Sequence, residues 1–242
     1  METQSRVALV VGGSRGIGRA VALRLAAAGF DIWLTYRNNH AAAEDVRNAI
    51  MQTGRACRLM AFDLAQPTEI RRVLVPAVEE TCPDVLVYNA GVARDNVLAL
   101  MQPEEWDTVL RTNLDGFFHV TQPVVFGMLP RKRGRIVVIS SISGQVGQAG
   151  QVNYAASKAG LIGAARALAR EVGRKNIFVN VVSPGVIDTE MTHHLAKEVV
   201  LPLIPLQRYG TVEEVAAVVH FLCTEPQMYV HGQVIGVNGG MA

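Results

Sequence analysis

The sequence predicts a single α/β domain of the doubly wound type, with helices on both faces of a mostly parallel, seven-stranded sheet. Two observations support this fold class. Short β-branched or apolar runs alternate with longer amphipathic stretches along the 242 residues, and this alternation is typical of βαβ units. Half of the residues are hydrophobic and 18% are charged, which suits a large sheet buried on both faces.

The candidate elements follow one another without a break that would divide the chain. The predicted strands are residues 6–11, 31–36, 57–62, 84–88, 134–140, 177–182 and 233–237. The main predicted helices are residues 17–28, 41–53, 67–80, 104–128 and 155–173. No linker, repeat or low-complexity segment interrupts this series, so residues 1–242 are expected to form one domain.

One stretch, residues 186–210, does not fit the alternation. It contains Pro202, Pro205 and two adjacent histidines around a hydrophobic run. Irregular segments of this length in compact domains often cover binding sites. We therefore expect a mobile substrate lid here, with an ordinary surface excursion as the alternative.

Composition and charge argue against several classes of function. The scattered cysteines Cys57, Cys82 and Cys223 form no metal-ligand pattern and suit a reducing compartment. A net charge of +2 gives no reason to expect nucleic-acid binding. We find neither a secretory signal nor an apolar run of about 20 residues. The expectation is a cytoplasmic protein without a bound metal or a membrane segment.

A glycine-rich turn joins the first predicted strand to the first helix. It reads Gly12-Gly13-Ser14-Arg15-Gly16-Ile17-Gly18. Glycines allow a tight turn and a close approach to a pyrophosphate, while the helix N-terminus offers N–H groups to the phosphates. Such a turn alone is a weak signal. Its place at the start of a βαβ unit favours a dinucleotide site and a Rossmann-type fold.

Two arginines indicate which dinucleotide is bound. The second predicted strand ends at Arg37, where an NAD enzyme usually has an acidic residue for the ribose 2′-hydroxyl. Arg37 can instead pair with a 2′-phosphate, and Arg15 can assist. This favours NADPH/NADP+, with two solvated surface charges as the alternative. Asp63-Leu64 and Asn89-Ala90-Gly91 follow the third and fourth strands, where the cofactor is expected to pass.

A second group of residues has the composition of a proton-transfer site. Tyr154 and Lys158 lie four residues apart at the start of a predicted helix and so share one face. A phenol with a pKa near 10 exchanges protons poorly at neutral pH, and a neighbouring ammonium lowers that pKa. Ser141 can polarise a substrate carbonyl, and Asn113 can complete a proton path. Tyr154 is therefore predicted to protonate the alkoxide formed from a ketone.

Each of these residues also has a structural interpretation. A tyrosine and a lysine at this spacing are often a packed phenol beside a lysine whose stem is buried. Ser140 and Ser143 compete with Ser141, because serines also end strands for turn chemistry alone. The combination downstream of a dinucleotide-type turn favours the catalytic interpretation.

With these motifs identified, the chain resembles the short-chain dehydrogenase/reductase family from its first strand to its C-terminal end. The motifs are Gly12-x3-Gly16-x-Gly18, Asn89-Ala90-Gly91, Asn113, Ser141, Tyr154-x3-Lys158 and Pro184-Gly185. The resemblance implies that hydride passes from a nicotinamide to a carbonyl carbon, that Ser141 orients the substrate and that Tyr154 donates the proton. It also implies that Lys158 binds the ribose and tunes Tyr154, and that Asn113 holds a relay water. The cofactor-binding set that it implies is Gly12, Ser14, Arg15, Gly16, Ile17, Gly18, Arg37, Asp63, Leu64, Asn89, Ala90, Gly91, Tyr154, Lys158, Pro184, Gly185, Ile187 and Thr189.

Within this family the chain is most similar to β-ketoacyl-acyl-carrier-protein reductases. The similarity is carried by residues 89–96, 153–163, 188–192 and 237–241, although acetoacetyl-CoA reductases share much of it. It implies a homotetramer and an acidic acyl carrier protein as partner. Such a partner requires a positive patch near the mouth of the site. The candidate docking residues are Arg131, Lys132, Arg133, Arg174 and Lys175, with Arg135 adjoining them; solubilising surface charges are the alternative.

Two positions depart from the family pattern. Val11 replaces a threonine that ties the first strand to the Asn-Ala-Gly strand, and Tyr88 replaces an asparagine. Tyr88 is expected to compensate by packing. Pro123 lies within a predicted helix, where it costs about 3 kcal/mol and is expected to introduce a kink. The changes at positions 11 and 88 suggest a specialised member of the family, such as one in a polyketide or polyene pathway.

The leading hypothesis is NADPH-dependent reduction of a β-ketoacyl thioester on a carrier protein to the β-hydroxyacyl thioester, in fatty-acid or specialised biosynthesis. One alternative is the same chemistry on a free carbonyl compound or an acyl-CoA. Another is a catalytically idle scaffold, which the intact set of Asn113, Ser141, Tyr154 and Lys158 disfavours. An enoyl reductase of this fold usually has its tyrosine and lysine six residues apart, which the Tyr154-x3-Lys158 spacing also disfavours.

Overall fold

The computed structural model describes residues 6–193 and 195–242. At the centre of this part of the chain lies one sheet of seven parallel strands, in the order β3-β2-β1-β4-β5-β6-β7. The strands are β1 Arg6–Val11, β2 Phe30–Tyr36, β3 Cys57–Ala61, β4 Val85–Tyr88, β5 Gly134–Ile139, β6 Ile177–Pro184 and β7 Val234–Val237. The predicted doubly wound α/β fold with seven strands is confirmed.

Helices cover both faces of this sheet. They are α1 Gly16–Ala27, α2 His40–Met51, α3 Pro67–Glu80, α4 Pro103–Leu110, α5 Gly116–Arg131, α6 Ser143–Val146, α7 Val152–Val172, α8 Lys197–Val200 and α9 Val212–Thr224. Short 3₁₀ turns occur at Leu98–Leu100, Gly173–Lys175 and Leu201–Leu203. Within the described ranges, no helix is both long and apolar enough to cross a membrane.

Two apolar cores hold the layers together, one on each face of the sheet. On one face α3, α5 and α7 bury side chains such as Leu74, Val120 and Leu161. On the other face α1, α2 and α9 bury side chains such as Leu25 and Ile50. Each such side chain contributes about 1.5–3 kcal/mol when it leaves water, so the apolar strands are stable only when covered on both sides.

The strand order places the functional edge of the sheet. Strand β1 pairs with both β2 and β4, so the chain connections leave in opposite directions from this point. In open parallel sheets, ligands bind beside the carboxyl ends of the strands at such a switch point. The glycine-rich turn follows β1 and Asn89 follows β4, so both lie at this crevice.

The predicted helix 104–128 is confirmed as a helical stretch, but it contains a π-helical segment that was not predicted. Helix α4 ends at Leu110, a π-helical segment spans Arg111–Asp115, and α5 then continues through Pro123 to Arg131. A π-helical turn admits an extra residue and often marks a functional site. Here it contains Asn113, whose side chain is tied to other parts of the chain.

The base of residues 186–210 is closed by a bridge between Ile187 and Gly210. Between these two residues lie α8 and the 3₁₀ turn Leu201–Leu203. The segment therefore leaves and rejoins the body of the fold at one place, as a loop beyond the carboxyl end of β6. Its predicted mobility stays a prediction, and His194 within it lies outside the described residues, as do residues 1–5.

Candidate active site

The glycine-rich turn is so tight that two of its glycines have no room for a side chain. Gly12 has a φ of +73°, and a Cβ on it would stand 2.8 Å from the Cα of Ala90. A Cβ on Gly18 would stand 2.1 Å from the carbonyl oxygen of Gly12. The turn therefore passes directly beside the segment after β4, as a dinucleotide site requires.

Two side chains from neighbouring strands hold this turn in place. The Nδ2 of Asn89 donates to the Gly12 carbonyl at 2.9 Å. The backbone N–H of Gly12 donates to Oγ1 of Thr35 at 3.1 Å. Val11 cannot make the hydroxyl contact of the family threonine. The turn has a different hydroxyl contact instead, from Thr35 of β2. A role for Thr35 was not predicted, although a threonine near the end of an apolar strand was a usable signal.

The first turn of α1 is open to an anion. Arg15 is its N-cap residue and makes no side-chain capping hydrogen bond, and the turn contains no acidic residue. A helix N-terminus in this state presents backbone N–H groups and a partial positive charge. The methyl carbon of Thr189 lies 3.7 Å from where a Cβ on Gly16 would stand. The residues present therefore fit the pyrophosphate of a dinucleotide, with Thr189 beside the turn.

The two arginines predicted to bind a 2′-phosphate are exposed at this crevice, each with a carboxylate partner. Arg37 lies 3.8 Å from Asp63, and Arg15 lies 2.9 Å from Glu190. More than half of each arginine side chain is exposed. Ion pairs this exposed contribute little free energy, so they do not prevent either arginine from changing partners.

Some of the remaining predicted cofactor residues bring their backbone into the crevice, and others have buried or partly buried side chains. The Gly185 N–H donates to the Val237 carbonyl at 2.9 Å, and the Pro184 carbonyl accepts from Ile142 at 2.8 Å. These bonds bring the segment after β6 into the crevice. The side chains of Leu64 and Ile187 are buried in the two cores. Ile17 is partly buried against a core, and Ser14 is partly exposed in the turn.

The structure brings the predicted proton-transfer residues together. Tyr154 lies in the first turn of α7, which begins three residues earlier than predicted, and Lys158 lies one turn further on. The Nζ of Lys158 is 5.7 Å from the centre of the Tyr154 ring and donates to the Ile139 carbonyl at 3.0 Å. Ser141, just after β5, hydrogen-bonds the Tyr154 phenol.

The three competing serines have different partners. Ser140 donates to the Lys158 carbonyl at 2.8 Å, and Ser143 donates to Oε1 of Gln151 at 2.9 Å. The Oγ of Ser141 accepts from the Ser143 N–H at 3.2 Å and also contacts Tyr154. Ser141 is therefore the serine in position to face a substrate together with the phenol.

Burial dominates the ionisation of the site. It raises the pKa of Tyr154 to about 12, and the hydrogen bond from Ser141 acts in the opposite direction. Burial lowers the pKa of Lys158 to about 8. The expected lowering of the Tyr154 pKa is wrong for this structure, because desolvation of the phenolate is the largest cause and raises the pKa. The phenol consequently stays protonated at neutral pH, in the form that can donate a proton.

Asn113 is held by three hydrogen bonds of its side chain. Its Oδ1 accepts from the Val92 N–H at 2.8 Å, while its Nδ2 donates to the Val92 carbonyl and to Ser157 Oγ, each at 3.0 Å. A Cβ on Gly91 would stand 3.2 Å from Lys158 Nζ and 3.4 Å from Asn113 Oδ1. Gly91 therefore leaves room where the asparagine and the lysine approach each other.

Ser157 is a second residue that the sequence analysis missed. It is fully buried. Its hydroxyl accepts from Asn113 and donates to the Tyr154 carbonyl at 2.8 Å. It thus joins the π-helical segment to the first turn of α7. Its place directly before Lys158, on the inner face of the predicted helix, was the available signal.

The predicted docking residues do not surround the mouth of the site within one chain. Arg131, Lys132 and Arg133 precede β5, whereas Ser141 follows it. Arg174 and Lys175 likewise precede β6. A strand of six residues spans about 20 Å, so both clusters lie at the opposite edge of the sheet from Tyr154. Parallel strands carry the chain across the sheet, so within one chain these clusters lie away from Tyr154, and docking of a carrier protein on them stays a prediction.

Arg131 differs from the other docking candidates. It donates to Asp84 at 2.6 Å and to the Cys82 carbonyl, and its side chain is only 27% exposed. Asp84 also pairs with Arg133 at 3.0 Å. Arg131 therefore ties α5 to the start of β4 and is a poor candidate for contact with a partner.

The fold, the glycine turn and the Ser–Tyr–Lys cluster together define a dinucleotide-dependent oxidoreductase. A family model described as enoyl-(acyl carrier protein) reductase matches residues 11–242. The chain belongs to this family of short-chain dehydrogenase/reductase enzymes.

Several curated relatives are similar over the full length of the chain. A 3-oxoacyl-[acyl-carrier-protein] reductase FabG of Aggregatibacter actinomycetemcomitans is 47% identical over 240 residues, covering 98% of this chain and 99% of that protein. A 3-oxoacyl-[acyl-carrier-protein] reductase of Synechocystis sp. is 42% identical, covering 98% and 97%. The FabG of Escherichia coli K12 is 40% identical, covering 100% and 99%.

Proposed function

We propose that this enzyme uses NADPH to reduce a β-ketoacyl thioester on an acyl carrier protein to the β-hydroxyacyl thioester. The observation that carries the proposal is the Tyr154 phenol, held protonated beside Ser141 at the edge where the glycine turn lies. The names of the relatives support the same substrate. The pathway is fatty-acid synthesis or a specialised polyketide or polyene pathway.

The side chains of the site have separate tasks in this reaction. When bound, the nicotinamide supplies a hydride to the carbonyl carbon of the substrate. Ser141 donates a hydrogen bond to the carbonyl oxygen, and Tyr154 transfers its proton to that oxygen as negative charge develops. The Lys158 ammonium stabilises the phenolate left behind, and Asn113 lies on the path that returns a proton to it. One hydride and one proton convert the ketone to the alcohol.

The preference for NADPH rests on Arg15 and Arg37. Both are exposed beside the crevice, and a 2′-phosphate offers each guanidinium a stronger partner than its present carboxylate. No acidic side chain stands at position 37, where it would accept from a ribose 2′-hydroxyl.

Ketone reduction is favoured over the enoyl reduction named by the family description. Tyr154 and Lys158 are four residues apart, whereas enoyl reductases resembling this fold have a wider spacing. The close spacing places the phenol next to Ser141, where both hydroxyls can reach one carbonyl oxygen. That arrangement suits protonation at oxygen.

The exposed basic residues of this chain support docking of a carrier protein. Lys132, Arg133, Arg174 and Lys175 are exposed, and an acidic partner would be attracted to them. Because they lie at the far edge of the sheet, they serve the site of a neighbouring subunit in the proposed homotetramer. An apolar groove between α5 and α7, in which 78% of Phe126 is exposed, is a suitable surface for that association.

The position of the basic residues, away from the site of their own chain, also leads to a second candidate function. If the protein acts as a monomer, its basic clusters cannot guide a carrier to its own site. A free acyl-CoA or another small carbonyl compound would then be the substrate. Size-exclusion chromatography with light scattering determines which assembly is present.

The function is tested by following NADPH absorbance with acetoacetyl-carrier protein and with acetoacetyl-CoA. The proposal expects a higher kcat/KM for the carrier-linked ketone and near-complete loss of turnover in Tyr154→Phe. Tyr229→Phe is the matched control, because Tyr229 is fully exposed. Equal turnover of both thioesters would favour the acyl-CoA alternative, and no turnover of either would favour a catalytically idle scaffold.

The docking surface is tested by reversing the charge of Lys132 and Lys175 together. We expect a higher KM for the carrier-linked substrate and an unchanged KM for the CoA ester. Arg58→Glu is the control, because Arg58 is an exposed arginine on β3, away from both clusters. An unchanged KM for the carrier-linked substrate would exclude docking at these residues.

A further inference from the structure

Tyr88 ends β4 and is fully buried. It pairs in register with Val11 of β1. Its ring packs edge-on against Phe117, with ring centres 5.4 Å apart. Packing, as expected from the sequence, is therefore part of its role.

The phenol group of Tyr88 has a second, more specific contact. Its hydroxyl donates to the carbonyl oxygens of Thr112 at 3.0 Å and Asn113 at 3.2 Å. Both carbonyls belong to the π-helical segment Arg111–Asp115. The extra residue of such a segment interrupts the regular hydrogen-bond ladder of a helix. Tyr88 supplies a donor at that interruption.

Gly116 makes room for this hydroxyl. A Cβ on Gly116 would stand 2.9 Å from the Tyr88 oxygen and 3.0 Å from the Cβ of Leu64. Glycine is a poor helix former, yet it stands at the start of α5 directly after the π-helical segment. The need to admit the phenol explains its presence there.

The hydroxyl remains a donor over the working pH range. Burial raises the pKa of Tyr88 well above its usual value, and the nearby charge of Asp115 acts in the same direction. A tyrosine that does not ionise can hold a backbone position without introducing a charge into the core.

We propose that Tyr88 is a positioning residue for Asn113, acting through the two carbonyl groups that its hydroxyl holds. Asn113 in turn contacts Ser157, and Ser157 contacts the backbone of Tyr154. Loss of the Tyr88 hydroxyl therefore lets the asparagine shift relative to the phenol that delivers the proton. This inference rests on the proposed function to the extent that Asn113 belongs to the proton path.

The test compares wild-type protein with Tyr88→Phe, which keeps the ring and removes the hydroxyl. We expect kcat to fall about tenfold, as small misplacements of catalytic groups do, while KM for NADPH stays within about twofold. Amide hydrogen exchange in residues 112–116 should accelerate in the protein without ligands. That second readout does not depend on turnover.

Gly116→Ala provides an independent variant, because its methyl group competes with the hydroxyl for space. We expect Tyr88→Phe/Gly116→Ala to be no slower in turnover than Gly116→Ala alone, since both changes disturb one contact. Ile50→Val is the control for general destabilisation. Ile50 lies on α2 and is fully buried in the core on the other face of the sheet.

The outcomes separate this inference from the proposed function. Wild-type kcat and wild-type exchange of residues 112–116 in Tyr88→Phe would overturn the positioning role. A lower melting temperature with exchange accelerated evenly along the chain, as in Ile50→Val, would also overturn it. If the wild-type protein reduces no ketone, the proposed function fails, and local exchange at residues 112–116 still decides whether Tyr88 holds the π-helical segment.

Discussion

Asn113 and Ser157 hydrogen-bond each other between the π-helical segment and α7, with Nδ2 and Oγ 3.0 Å apart. Both side chains are fully buried. The Ser157 hydroxyl continues to the Tyr154 carbonyl, so the position of one catalytic candidate depends on the other. Contacts of this kind hold a site in its productive geometry before substrate arrives.

Ser157→Ala should therefore lower kcat clearly while it lowers the free energy of unfolding only modestly. We expect about a tenfold loss of kcat from misplacement of Asn113, with an unchanged dissociation constant for NADPH. The free energy of unfolding should fall by about 1 kcal/mol, as is typical for one lost hydrogen bond. Steady-state kinetics and urea unfolding measure the two effects. Thr224→Val is the control, since it removes a hydroxyl bonded within α9; equal kinetics in both variants would contradict the expectation.

Lys158 should make stability depend on pH in a defined direction. Burial lowers its pKa from 10.5 to about 8 in the folded chain, so the unfolded chain binds this proton more tightly. Stability from this group is fully present above pH 10.5 and is lost as pH falls through 8. Lys158→Met should increase the free energy of unfolding relative to wild type, and this increase should be about 3 kcal/mol larger at pH 7 than at pH 10.5. Urea unfolding at both pH values measures this; a difference independent of pH would show that the ammonium is well solvated.

Arg37→Ala should reduce the preference for NADPH. Hydrogen bonds to charged groups contribute about 1.5–3 kcal/mol, so we expect KM for NADPH to rise tenfold or more, with little change for NADH. Arg58→Ala is a closely matched control, because Arg58 is 49% exposed and 3.6 Å from Glu80, while Arg37 is 52% exposed and 3.8 Å from Asp63. Similar kinetics for both variants would place the 2′-phosphate elsewhere.

Glu190→Gln should tighten NADPH binding. The carboxylate of Glu190 holds Arg15 at 2.9 Å in the ligand-free chain, and an exposed pair of this kind is worth up to about 1 kcal/mol. Freeing Arg15 should lower the dissociation constant for NADPH by up to about fivefold and leave that for NADH unchanged. Fluorescence titration with each cofactor measures the ratio, and a weaker affinity for NADPH would mean that Glu190 supports the bound state.

The sequence predicted the elements with strong local patterns. Alternating apolar runs located the seven strands, and their ends differ from the structure by at most two residues. The motif residues were also predicted, because Gly12 and Tyr154 carry chemistry that few other functions need. Helix α7 begins before the predicted start, since Val152 and Asn153 extend its first turn.

Features that depend on contacts between distant residues were not predicted. The π-helical segment has an ordinary helical sequence, and its hydrogen bonds to the buried hydroxyls of Tyr88 and Ser157 join residues far apart in the chain. The predicted lowering of the Tyr154 pKa was wrong for a related reason. Desolvation depends on everything packed around the phenol, whereas the spacing to Lys158 shows only one neighbour.

Local patterns and short motifs were enough to predict the fold class, the crevice at the end of β1 and the residues of the candidate proton-transfer cluster. The folded chain was needed to show which of three serines meets Tyr154, how Thr35 and Asn89 hold the glycine turn, and where the basic clusters lie. The physical reason is that hydrogen bonds and burial join residues far apart in the chain. Their partners are defined only after the strands have paired.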